Sequence, residues 1–81
     1  MILIEPLSTE KVLRIIELEN KMVFIVQRNA TKAQIKKEME KTFNVKVAKI
    51  NTHIRKNEKL AVIQMKKETP AINVATKLGM M

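Results

Sequence analysis

Residues 30–54, ATKAQIKKEMEKTFNVKVAKINTHI, read as a capped amphipathic helix running straight into a strand. Thr31 is a good N-cap, and Gln34 three residues later completes a capping box. Ile35, Met39 and Phe43 recur every four residues, so they share one face and predict a helix reaching Thr42 or Phe43 with that face on a core. Lys32 and Lys36 stack one turn apart on another face, with Lys37 and Lys41 beside them. The only acids on this helix are Glu38 and Glu40; Glu40 is spaced to pair with Lys36, and most of the charge stays uncompensated. The strand that follows, Val45 to about Arg55, changes pattern midway. Val45 and Val47 are apolar at odd positions, but from Ala48 onward the apolar set is even, Ile50 and Ile54. Either a bulge shifts the parity or the two ends face different layers. The odd set becomes Lys49, Asn51, His53 and Arg55, a polar row.

To either side of this unit lie two runs that are apolar on both parities, KMVFIVQ over 21–27 and LAVIQM over 60–65. Such strands belong in the interior of a sheet covered on both faces. Arg28 and Asn29 make the short connection to the basic helix, and Lys56-Asn57-Glu58 a tight hairpin turn into a strand from Lys59 to about Lys66. Ahead of these, Ile2 to Ile4 is a short apolar run stopped by Pro6, suited to an edge strand or an anchored arm. Ser8 or Thr9 then caps a helix over about residues 9–19, with Val12, Ile15 and Ile16 inward, Leu13 and Leu18 widening the face, and Asn20 as the stop. Thr69-Pro70 predicts the start of a closing helix that ends near Gly79, with Ile72, Ala75 and Leu78 inward.

The charge is concentrated. Residues 1–27 carry three Lys or Arg against four Glu, residues 28–59 carry ten against three, and residues 60–81 carry three against one, so +7 of the net +8 lies in the middle. A partner rich in negative charge follows from that segregation. Nucleic acid, an anionic membrane surface and an acidic protein all meet that requirement; a membrane surface calls for a broad apolar face edged by aromatics, which the narrow Ile35, Met39, Phe43 stripe does not offer, and nucleic acid is the better reading. Eighty-one residues, 46% hydrophobic, predict one domain over 1–81. There is no cysteine, no apolar run near the roughly 20 residues that would span a bilayer, and no basic-then-apolar build in MILIEPLSTEK, so a cytosolic location is expected.

Catalysis is not expected. The chain has no Asp, Cys, Tyr or Trp, one His and one Gly, so neither a nucleophile relay nor a glycine-rich phosphate loop can be assembled. His53 and scattered glutamates have no metal-ligand spacing, and no cofactor is expected. Two sets of residues remain. The helix lysines Lys32, Lys36 and Lys37 suit diffuse phosphate charge, although lysines on a solvated helix face are common. Lys49, Asn51, Thr52, His53, Arg55 and Lys56 combine groups that can meet base edges, ribose hydroxyls and phosphates; an edge strand guarding itself against sheet-to-sheet association would also carry charge. Both phenylalanines look buried, so base stacking on aromatic platforms is disfavoured and contact with the backbone of folded RNA is favoured.

Pro6-Leu7-Ser8-Thr9-Glu10-Lys11, Phe24-Ile25-Val26, Ala30-Thr31-Lys32 with Ile35-Lys36, Phe43-Asn44-Val45-Lys46-Val47, Asn51-Thr52 and Leu78-Gly79 together resemble the universal large-subunit ribosomal protein twenty-three family in its short archaeal-type form. The resemblance covers residues 6–79. It implies an α/β (α+β) domain with a four-stranded antiparallel sheet in the order 1-2-4-3, in keeping with the two internal strands placed above. It implies binding to large-subunit rRNA beside the exit of the peptide tunnel, next to ribosomal protein twenty-nine, as a docking point for the signal recognition particle and the protein-conducting channel. Carried over by position, RNA contact falls on Thr9, Lys11, Arg28, Lys32, Lys36, Asn51 and Thr52; Lys37, Lys49, His53, Arg55 and Lys56 are added on their chemistry. The long loop that bacterial members place between the last two strands has no counterpart, because Lys56-Asn57-Glu58 is too short. Other readings are a protein-docking module that uses Glu10, Glu17, Glu19 and the terminal Met80-Met81, or a free-standing basic nucleic-acid binder.

Overall fold

Strand pairing sets the architecture. The computed structural model describes residues 3–79, so Ile2 and the Met80-Met81 pair lie outside it. Its elements are β1 (Leu3–Pro6), α1 (Glu10–Glu19), β2 (Lys21–Val26), α2 (Lys32–Phe43), β3 (Val47–Arg55), β4 (Glu58–Met65) and α3 (Ala71–Lys77). One antiparallel sheet runs β1-β2-β4-β3, with the two doubly apolar runs in the middle. This is the expected α+β fold and strand order.

The register assigns each side chain to a face. Met22 pairs with Ile63 and Ile63 with Ile50, while Phe24 pairs with Ala61 and Ala61 with Thr52, so these share one face. Phe43 of α2 meets Phe24 with ring centroids 6.0 Å apart, which puts α2 on that face. The other face carries Val23, Val62 and Asn51 in one row and Ile25, Leu60 and His53 in the next. Val23 and Ile25 are only 6% and 9% exposed, so something covers them. Only α1 and α3 remain to do so; they touch β2 and each other. The result is three layers, helix, sheet, helix pair. Cover thins away from β2: Leu60 and Val62 are half-buried, and Asn51 and His53 are exposed. The expected cover on both sides is therefore complete for β2 and partial for β4.

Met22, Phe24, Ile63, Val47, Ile16, Ile35, Met39 and Val74 are the largest fully buried side chains. Each such burial contributes about 1.5–3 kcal/mol, in a chain whose size leaves about 35–40% of its unfolded surface still wet. The parity break in β3 is a bulge. Val47 pairs with Met65 but Lys49 with Gln64, so Ala48 is the extra residue.

Several expectations shift. Val45 is buried but precedes the strand, which begins at Val47. The hairpin turn is two residues, because Glu58 already pairs with Arg55; Lys56 takes the left-handed conformation at φ 56°. Leu18 is 83% exposed, since α1 buries only Val12 and Ile16 fully. In α3 the inward set is Ala71, Val74 and Ala75, and Ile72 is 42% exposed. That helix starts one residue late, and Thr69 does not cap it. The Thr69 hydroxyl instead accepts from the Lys46 amide at 3.4 Å, and the Ala71 amide donates to the side-chain oxygen of Asn20.

Candidate nucleic-acid interface

The basic helix is built locally. Thr31 Oγ1 accepts from the Gln34 amide at 3.2 Å and Gln34 Oε1 accepts from the Thr31 amide at 3.0 Å, the full capping box. Ile35 and Met39 have no exposed surface, and this fixes the rotation of α2 about its axis. Lys32, Lys36, Lys37 and Lys41 are consequently exposed. No acid stands in the first turn, where negative charge would oppose the positive end of the helix dipole, and Lys32 adds to that end.

Glu40 does not neutralise Lys36 as its spacing suggests. Its carboxylate accepts from the Val47 amide at 3.2 Å, at the start of β3 beside the bulge. Satisfying a backbone donor that the interrupted ladder leaves free outweighs an exposed ion pair, which is worth at most about 1 kcal/mol. Among the described residues the ion pairs are Arg14 with Glu10, Lys21 with Glu19 and Lys46 with Glu68. None of them involves a candidate contact residue.

Between α2 and the edge strand β3 runs an open groove of about 190 Å³ lined by Lys32, Ala33, Lys36, Val47, Ala48, Lys49 and Ile50. Ala48 and Ala33 leave it wide, and three lysines border it. Lys49 also heads the polar row of β3. Asn51, His53 and Arg55 continue that row on the face turned from α2, whereas Thr52 is half-buried on the α2 side. The helix lysines and the strand row thus meet only at Lys49, because the bulge and the alternation of the strand send the rest around the edge.

A second cluster forms at one end of the sheet. Lys59 pairs with Val26 on one side and Ile54 on the other, which brings Arg28, just past β2, to the same end as Arg55 and Lys56 of the hairpin. The Lys59 ammonium donates to the Ala30 carbonyl at 2.7 Å, tying that hairpin to the turn leading into α2. No local sequence signal foretells a bond spanning 29 residues.

Thr9 and Lys11 stand apart. The Thr9 hydroxyl accepts from the Val12 amide at 3.2 Å as the cap of α1, and Lys11 lies with Glu10 and Arg14 in a shallow depression on the layer opposite α2. The structure therefore gathers Lys32, Lys36 and Lys49 in one groove and Arg28, Arg55 and Lys56 at one end. Lys37 is exposed one position further round α2.

A small basic α+β domain whose cations line an edge groove and gather at one end of the sheet has the charge distribution of a polyanion-binding module. Comparison with known proteins gives the particular family. Residues 1–76 match the family described as Ribosomal protein L23, and the chain belongs to it. Three archaeal relatives carry the name Large ribosomal subunit protein uL23. The one from Picrophilus torridus is 47% identical over 77 residues, covering 95% of this chain and 94% of the relative. That from Pyrobaculum aerophilum is 49% identical over 74 residues, with 90% and 91% covered, and that from Thermoplasma acidophilum 45% over 78 residues, with 96% and 93% covered. Membership makes this chain a ribosomal protein and not an enzyme.

Proposed function

We propose that this chain, a structural protein of the large subunit of the cytoplasmic ribosome, binds large-subunit rRNA through the α2–β3 groove and the basic end of the sheet. The observation that carries the reading is that, among the described residues, Lys32, Lys36 and Lys49 line one groove whose lining holds no acid, and that none of the three is in an ion pair. Mobile ammonium groups at such an edge follow a phosphate backbone without demanding one geometry. Asn51 and His53, exposed beyond Lys49, are placed to meet ribose hydroxyls or base edges, and Arg28, Arg55 and Lys56 to meet a second run of phosphates. Thr9 and Lys11, on the other layer, serve a separate strand of RNA or none.

Binding next to the tunnel exit, beside ribosomal protein twenty-nine and within reach of the signal recognition particle and the protein-conducting channel, is supported by the family resemblance. Leu18 and Ile72, exposed on the α1–α3 layer, leave an apolar surface for protein contact on the side away from the groove.

The test is a salt series of binding to deproteinised large-subunit rRNA. Each lost phosphate contact lowers the slope of log K against log salt by about 0.7 to 0.9. Lys32→Ala with Lys36→Ala is expected to lower it by about 1.4 to 1.8 with the fold unchanged by circular dichroism. A slope equal to that of the unaltered protein removes the groove from the interface.

A further inference from the structure

We propose that Lys59 is a positioning residue for the RNA interface: its ammonium holds the β3–β4 hairpin against the turn leading into α2, and so sets the spacing between Arg28 and Lys32 on one side and Arg55 and Lys56 on the other. The inference rests on the functional reading above. It starts from the 2.7 Å bond from Lys59 Nζ to the Ala30 carbonyl, which joins the turn end of this hairpin to the turn leading into α2, at the opposite end of β3 from the bond between Glu40 and the Val47 amide.

The partners are well chosen. Ala30 is 3% exposed and its amide already donates to the Gln27 carbonyl at 3.0 Å, so the peptide is held in place by a tight turn. Its carbonyl precedes the N-cap and has no role in the helical ladder. Lys59 is half-buried, flanked by Val26 and Ile54 in the sheet, and its stem has little freedom to swing out to a phosphate. Arg55, Lys56 and Arg28 are all exposed. A cation in this cluster that is spent on the protein's own backbone does different work from its neighbours. It orders the hairpin before RNA arrives, so that the cost of aligning two sets of charges is met on folding rather than on binding.

The test uses the full chain and four variants: Lys59→Met, which keeps the stem and removes the ammonium; Lys59→Arg, which keeps a donor; Arg55→Ala with Lys56→Ala; and those two changes combined with Lys59→Met. Hydrogen exchange at the Arg55 and Glu58 amides is measured first, without RNA. Lys59→Met is expected to speed it about ten-fold, as for loss of about 1.4 kcal/mol of restraint, while exchange in β2 stays constant and Lys59→Arg restores protection. Unchanged hairpin exchange overturns the proposal whatever RNA does.

Salt-series binding to deproteinised Picrophilus torridus large-subunit rRNA is the second readout. Coupling is the expected result: removing Arg55 and Lys56 lowers the slope in the parent but has little further effect in the Lys59→Met background. Additive effects, with Lys59→Met alone lowering the slope by about 0.7 to 0.9, make Lys59 an ordinary phosphate contact and overturn the proposal. Parent protein that shows no salt-dependent binding sinks the functional reading instead, and the exchange measurement still decides the brace.

Discussion

Asn20 shows how much one residue can join. As the C-cap of α1 it takes φ 56°, ψ 41°, the left-handed conformation that Asn tolerates better than most side chains. Its amide nitrogen donates to the carbonyls of Met65, Lys66 and Thr69 at 3.2 to 3.3 Å, its side-chain oxygen accepts from Ala71, and its own carbonyl accepts from the Met65 amide. The end of α1, the end of β4 and the start of α3 are thereby fastened at a single point. Asn20→Ala loses both the conformation and the side-chain bonds, and is expected to cost about 2–4 kcal/mol in urea unfolding. Asn20→Gly restores the backbone preference but not the bonds, so it should recover only part of that loss. The sequence marks Asn20 as a helix stop. That it also caps α3, in place of Thr69, is invisible there because its partners lie 45 to 51 residues away.

Among elements, α2 and β3 are coupled through the bulge at Ala48. Deleting Ala48 would restore a regular ladder but turn Val47, now 2% exposed, toward solvent and pull its amide from Glu40. The expected loss is about 2 kcal/mol or more by denaturant titration, together with closure of the Lys32, Lys36, Lys49 groove and a smaller salt slope for rRNA binding. The capping box makes the contrasting case. Thr31→Ala should cost about 1 kcal/mol and leave the salt slope as it was, since it alters the stability of α2 without removing a charge. Periodicity made α2 legible from end to end, because Ile35 and Met39 recur at the helical repeat and Thr31 and Gln34 mark its start. The inward face of α3 was not legible in the same way: in a helix of seven residues a one-residue change of start exchanges Ile72 for Ala71 and Val74.

At the scale of the molecule, two layers of helix share one four-stranded sheet, and the core is continuous through it. Ile63→Ala, at a position with no exposed surface in the central strand β4, is expected to cost about 2–5 kcal/mol, enough to leave so small a domain marginal. The chain order of elements, the interior place of β2 and β4, the rotation of α2 and the concentration of positive charge in residues 28–59 are all determined by the sequence alone. They rest on near-neighbour spacing and side-chain hydrophobicity, which act over one or two turns of helix or a few residues of strand. Tertiary structure decided which cations meet. It took Glu40 from Lys36, gave Lys59 to Ala30, joined Lys49 to the α2 lysines and sent Asn51 and His53 round the sheet edge. Those outcomes depend on backbone groups needing partners wherever the packed chain leaves them unpaired, and such partners are chosen by distance in space rather than along the chain.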